Sequence, residues 1–261
     1  MISIIGNLKM NPGSLSEFEV YIQNFLNFSK NKDKNIHIGI APPFPFLEKA
    51  NKIIENDILL GAQDISLEVA GSFTGDVSVS MLKSLGVSFV IIGHSERRKN
   101  HKETDLEISR KCLRAVEYGI TAVICVGETF DQKEQGFTEK VLKEQTKNAL
   151  KYIKKEDAHR IVIAYEPIWA VGTDNLPNAK ELSFAIESIQ ETVKECFEEF
   201  SSDTHILYGG SVHSENVSEL FENTNLEGLL VGRSSLNVEE FFLIIEKISE
   251  NKIIKEIKES E

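Results

Sequence analysis

The chain has 261 residues, 41% of them apolar, and a formal net charge of -12. That is enough apolar material for one large α/β barrel or two smaller domains. The acidic balance and the lack of a long basic run exclude nucleic acid as an expected partner, and no apolar run reaches the ~20 residues of a membrane span. Three cysteines, Cys112, Cys125 and Cys196, form an odd set without close spacing. They disfavour a disulfide framework and a zinc site and fit a reducing cytoplasm. The opening MISIIGNLKM has neither a basic start nor a long apolar stretch, so no signal peptide is expected.

In chain order, Ile2–Gly6 is an apolar run of buried-strand type, closed by Asn7-Leu8-Lys9-Met10-Asn11-Pro12. Residues 15–28 carry helical spacing through Phe18, Ile22 and Phe25. A strand at 36–41 stops at Pro42-Pro43. A helical face at 46–54 and a strand at 58–62 follow, the strand ending in Gln63-Asp64. Residues 65–78, with Gly71, Gly75 and an exposed Phe73, form a loop long enough to be functional or to make contacts. A short helix through Leu82 and Leu85 stops at Gly86. The strand at 89–92 leads into Gly93-His94-Ser95-Glu96-Arg97-Arg98, where Ser95 reads as a helix cap. Helical spacing through Ile108, Cys112 and Val116 ends at Gly119. A strand at 122–126 has Gly127-Glu128 at its mouth, and a helix with a charged outer face spans 138–154.

Residues 160–175, RIVIAYEPIWAVGTDN, organise the rest. Ile161–Ala164 suits a strand buried on both faces. Pro167 cannot donate to a ladder and holds Glu166 extended, so the strand ends with a carboxylate at its mouth. Ile168-Trp169-Ala170-Val171 is apolar where a polar loop is expected, and Gly172-Thr173 follow. Such a segment reads as a lid that excludes water beside Glu166 and raises its basicity. A long amphipathic helix runs from Leu182 to Phe197. Strands at 206–208 and 226–231 end in Gly209-Gly210-Ser211 and Gly232-Arg233-Ser234. A helix through Val217 and Leu220 lies between them, and one through Phe241 and Ile248 closes the chain.

Eight strand-like runs alternating with helical faces match a closed (β/α)8 barrel, with a doubly wound open sheet as the alternative. In a barrel, residues just past each strand meet at one rim. That rim would gather Asn7, Lys9, His94, Glu96, Glu166, Ser211, Gly232 and Arg233. No cluster of metal ligands is apparent, so metal-free acid–base chemistry without a cofactor is expected. His94 at a helix start is disfavoured as imidazolium, which leaves a neutral donor. Glycine turns after the last two strands suit phosphate on backbone N–H groups. Glu96 and Arg97 read as structural ion-pair members.

The motifs NLKMN (7–11), GAQD (61–64), GSFTGDVS (71–78), IIGHSERR (91–98), ICVGET (124–129), AYEPIWAVGT (164–173), YGGSV (208–212) and GLLVGRSSL (228–236) together resemble the triosephosphate isomerase family. The resemblance implies a single TIM barrel over 1–249 with a charged extension at 250–261. It also implies interconversion of dihydroxyacetone phosphate and glyceraldehyde 3-phosphate, with Glu166 as base and His94 as neutral electrophile and proton shuttle. Lys9 would stabilise the enediolate and Asn7 would orient the oxygen site. Phosphate would sit on the N–H groups of Gly172, Ser211, Gly232 and Arg233. The roles of a glutamate base, a neutral histidine and a closing lid come with the family. A homodimer through residues 65–78, with Thr74 reaching the partner's site, is implied too.

Leu8, Asp64, Asp76, Asp174 and Arg233 depart from the usual pattern. Asp174 would stiffen the lid's rear hinge, and Arg233, where a second glycine is usual, would strain a glycine-type backbone angle. Two competing readings are another sugar-phosphate isomerase on the same barrel and a catalytically inactive barrel that binds phosphate or serves assembly.

Overall fold

The computed structural model describes residues 2–259 except 31, 32, 34, 55, 56, 174, 223 and 225; at 222 and 251–259 it describes the backbone alone. Eight parallel strands close into one barrel in sequence order: β1 (Ile2–Asn7), β2 (Ile36–Ala41), β3 (Ile58–Ala62), β4 (Phe89–Ile92), β5 (Thr121–Val126), β6 (Ile161–Tyr165), β7 (His205–Tyr208) and β8 (Gly228–Val231). The closing pair, β1 with β8, aligns Ser3 with Gly228 and Gly6 with Val231. The expected closed barrel is therefore what forms, and the alternative open sheet is set aside.

Ten α-helices are described: α1 (Leu15–Ser29), α2 (Leu47–Ile53), α3 (Val79–Ser84), α4 (Ser95–Asn100), α5 (Asp105–Glu117), α6 (Phe130–Glu134), α7 (Thr138–Leu150), α8 (Ala179–Phe197), α9 (Val217–Glu222) and α10 (Val238–Glu259). Those of the outer ring bury one face on the strands. Phe25 of α1 meets Phe241 and Phe242 of α10, with ring centroids 5.8 and 5.2 Å away, which joins the first and last helices across the closure.

Successive side chains of a strand point to opposite faces. One set packs outward against helices. The other, Ile5, Ala41, Phe89, Ile91, Val123, Cys125, Ala164, Leu207 and Leu230, fills the barrel interior. Phe89 occupies the space left by Gly61, where an added Cβ would lie 2.1 Å from its ring. The interior is a packed core, so ligands are confined to its mouth.

Three expectations shift in detail. The last ladder starts at Gly228, two residues after Leu226, because Leu226 is buried ahead of the first paired residue; apolarity reports burial and not pairing. The helix expected over 138–154 ends at Leu150 and gives way to a 3-10 turn at Lys155–Arg160. The short α6 was unanticipated, although Thr129 and Gln132 form a reciprocal capping box at its start and a T-x-x-Q pattern is its local signal.

Candidate active site

Two residues beyond the last interior side chain, the same inward direction reaches the C-terminal mouth. From Ile5 the count gives Asn7, from Ala164 Glu166, from Leu207 Gly209 and from Leu230 Gly232. All four line one cavity of about 280 Å3, with Lys9, His94, Val171, Gly172, Ser211 and Arg233 among its other walls. Asn7, Lys9, His94, Glu166, Gly172, Ser211, Gly232 and Arg233, all expected at the site, therefore border the same space, whereas Glu96, also expected at the rim, does not line it. Nor does Thr74; it lies in the exposed 65–78 loop.

Glu166 is held by the barrel itself. Its N–H donates to Val126 O at 2.8 Å, and Gly209 N–H donates to Tyr165 O at 2.8 Å, which locks the end of β6 between its neighbours. Gly127 is required here, since a Cβ would lie 1.8 Å from the Glu166 carbonyl oxygen. The side chain is 3% exposed. Its Oε2 accepts the Ser95 N–H at 3.1 Å, and its Oε1 lies 3.2 Å from His94 Nε2. A buried carboxylate thus rests at the N-terminus of α4, where backbone donors and the helix dipole favour negative charge.

His94, and not Ser95, caps α4. Its Nδ1 accepts the Glu96 N–H at 3.2 Å, while its backbone (φ -50°, ψ 140°) is still non-helical. Ser95 is already inside the helix with its amide turned to Glu166. An imidazole accepting at Nδ1 carries its hydrogen on Nε2. That hydrogen faces Glu166 and the cavity, so the ring presents a donor to the site.

Lys9 adopts φ +52°, a left-handed conformation uncommon for a side-chain-bearing residue. Two hydrogen bonds to its backbone hold it, and a third fixes the Gln63 amide that makes one of them. Asn7 Oδ1 accepts the Lys9 N–H at 3.0 Å, and Gln63 Nε2 donates to Lys9 O at 2.7 Å and to Ala41 O at 2.8 Å. Strain of this kind persists where surroundings over-determine it, commonly at functional sites. The Lys9 ammonium pairs with Glu96 Oε1 at 2.5 Å. Burial raises the Glu96 carboxyl, but the Lys9 hydrogen bond first, then the neighbouring His94 and the Lys9 charge, outweigh that and hold it below its ordinary value. Arg97 pairs with Asp64 at 2.7 Å and Glu103 at 3.3 Å, as expected of a structural ion-pair member.

The segment after Pro167 winds through tight turns, with Ala170 N–H donating to Pro167 O at 2.8 Å. Its front is anchored by Glu128, whose Oε1 accepts from Trp169 Nε1 at 2.7 Å and from the Tyr165 hydroxyl at 3.2 Å. Lys133 Nζ sits 3.6 Å from the Trp169 ring centroid, a cation–π contact. Burial pushes the Glu128 carboxyl up, more than its donors bring it down. At the rear, Thr173 O accepts from Ser211 Oγ at 2.7 Å and Gly172 O accepts from Arg233 Nη2 at 3.1 Å. The expected effect of Asp174 falls outside the described residues.

The profile of the family described as "Triosephosphate isomerase" matches residues 2–248. The chain belongs to the triosephosphate isomerase family. It is 44% identical over 216 residues to the triosephosphate isomerase of Thermoanaerobacter sp. (strain X514), covering 82% of this chain and 87% of that one. The triosephosphate isomerases of Thermoanaerobacter pseudethanolicus and Dictyoglomus turgidum are 41% and 40% identical over 244 residues, 93% of this chain and 97% of theirs.

Against the triosephosphate isomerase pattern, one point of the sequence reading changes. Arg233 is not strained: the described non-glycine residues with positive φ are Lys9, Lys102 and Glu198. Arg233 opens a 3-10 turn, Arg233–Leu236, whose backbone any residue adopts. Asn7 grips the backbone of Lys9. Gln63, Glu128 and Lys133 carry supporting contacts that sequence reasoning left without a role. Gln63 was findable, since it continues the inward count of β3 two residues past Gly61. Glu128 and Lys133 were not, because their partner Trp169 is some forty residues away in the sequence.

Proposed function

We propose that this chain interconverts dihydroxyacetone phosphate and D-glyceraldehyde 3-phosphate through an enediolate. The observation that carries the reading is the meeting of Glu166, His94 and Lys9 on one small cavity whose wall also holds two glycine turns. Glu166 is the base. It leaves the Ser95 amide and takes a proton from the carbon beside the substrate carbonyl. His94 donates from Nε2 to the carbonyl oxygen as charge develops there and then moves protons between the two oxygens. Lys9 adds positive charge on the same side, with its backbone set by Asn7 and Gln63. The N–H groups of Gly172, Ser211, Gly232 and Arg233 bind phosphate. The lid, fixed at Trp169 and lightly tied at Gly172 and Thr173, closes to exclude water and to stop the enediolate expelling phosphate.

The protein works as a cytoplasmic homodimer through residues 65–78, with Thr74 reaching the partner's site, and residues 250–261 extend a barrel that ends at 249. A coupled isomerase assay on purified protein tests the reaction. Sustained conversion of glyceraldehyde 3-phosphate supports it. No activity above a Glu166→Gln control would leave an inactive phosphate-binding barrel.

A further inference from the structure

We propose that the Arg233 side chain is a specificity-determining residue, a cation that selects phosphate-bearing over uncharged substrates. The proposal rests on the isomerase reading above. Among the described residues, the charged side chains lining the cavity, histidines aside, are Lys9, Glu166 and Arg233. Lys9 and Glu166 offset one another, and Lys9 is further committed to Glu96 at 2.5 Å. A chain with net charge -12 must still attract a phosphate dianion, and Arg233 is the cation left to do so.

An exposed arginine is ordinarily a solvated surface group, but this one is tethered. Nη2 donates to Gly172 O at 3.1 Å, and a Cβ at Gly172 would stand 3.3 Å from that same nitrogen. The turn that carries it is pinned by Ser235 N–H to Gly232 O at 3.0 Å and Ser234 Oγ to Val212 O at 2.5 Å. Among the described residues no carboxylate pairs with the guanidinium. It has five N–H donors in a planar fork suited to phosphate, and the lid carbonyl takes one. The same group therefore bridges the lid and the turn on which phosphate is proposed to sit. A backbone amide is present at this position whatever the side chain, so the guanidinium adds charge that a glycine there would lack.

The test compares the full-length wild type with Arg233→Met and Arg233→Lys. The readouts are kcat and KM for glyceraldehyde 3-phosphate, kcat/KM for unphosphorylated glyceraldehyde, the Ki of inorganic phosphate, and the salt dependence of kcat/KM. A lost hydrogen bond to a charged group corresponds to about tenfold or more in affinity. Arg233→Met should raise KM and the phosphate Ki by about that factor and flatten the salt dependence. It should also lower the preference for the phosphorylated substrate about tenfold, and Arg233→Lys should recover part of each. Arg233→Met within about twofold of wild type on all four, or equal losses on both substrates, overturns the proposal. If Arg233→Met does not fold, Arg233→Gln takes its place. If the wild type itself lacks isomerase activity, the functional reading fails. Calorimetric titration of inorganic phosphate then decides the Arg233 role alone, with about tenfold weaker binding in the variant supporting it and equal binding overturning it.

Discussion

Glu166 and Gly127 show how closely chemistry and packing are tied at one point of this molecule. The carboxylate rests between the Ser95 amide and His94, so its reach is set by a single side-chain length. Glu166→Asp keeps the charge and withdraws it by about one methylene, and displacements of about 1 Å cost on the order of 10²-fold. We expect kcat to fall about 10²-fold or more with KM within about threefold of wild type, measured in the coupled assay. Wild-type turnover in this variant would remove Glu166 as the base. Gly127 makes the opposite point. A methyl there meets the Glu166 carbonyl at 1.8 Å, and backbone cannot step aside as a flexible side chain can. Gly127→Ala should lose about 3 kcal/mol or more of stability by over-packing, read from urea melts; an unchanged midpoint would show that the strand ends are looser than their hydrogen bonds indicate.

The lid segment is asymmetric in how it is held. At its front Trp169 is clamped between Glu128 and Lys133, and Ala170 is fully buried. At its rear, among the described residues, side-chain donors from Ser211 and Arg233 reach the exposed carbonyls of Thr173 and Gly172. Motion on closing is therefore expected to concentrate at the rear. Glu128 links this anchor to pH. Burial first of all raises its carboxyl above the ordinary value in the folded chain. Below the unfolded pKa both states hold the proton and nothing is lost. As pH climbs from there to the raised folded value, only the unfolded state ionises, so folding loses stability across that window and then levels off. Glu128→Gln removes this titration. Its stability relative to wild type should accordingly rise as the pH is raised from about 4 towards 7. Melts at three pH values check the trend, and a difference that is flat or falls with pH contradicts it.

The closed barrel leaves Met10, Phe73 and Met81 among its most exposed apolar side chains, at 91%, 48% and 55%. Phe73 sits in the 65–78 loop, which folds on itself through Ser66 N–H to Val77 O at 2.8 Å and Ser66 Oγ to Asp76 Oδ2 at 2.6 Å. A stiff loop carrying an apolar tip suits docking with a second copy, since little ordering entropy is lost on association. Sedimentation of the full chain should give a dimer, and Thr74→Arg, which places a charge at the loop tip, should shift it to monomer with kcat reduced. A fully active monomer would remove Thr74 from the site.

Much of this architecture was legible in the residues. Eight apolar runs, their glycine and proline stops and the two-residue alternation report burial directly, and burial is a local property of side chains. So the strand count, the placement of Glu166 at a strand end and the apolar loop after it were all legible in the sequence. What the chain could not reveal unaided was which partners each mouth residue meets. His94 rather than Ser95 caps α4, its Nδ1 taking the Glu96 amide while the Ser95 amide turns to Glu166, just past the end of β6. Arg233 escaped strain because its turn closes as a 3-10 helix, and its guanidinium found a lid carbonyl across the rim. Glu128 became an anchor through Trp169. Contacts of this kind depend on barrel closure and strand register, which bring together groups 41, 61 or 71 positions apart. Apolar spacing records only whether a side chain is inside, whereas closure in three dimensions decides what it faces.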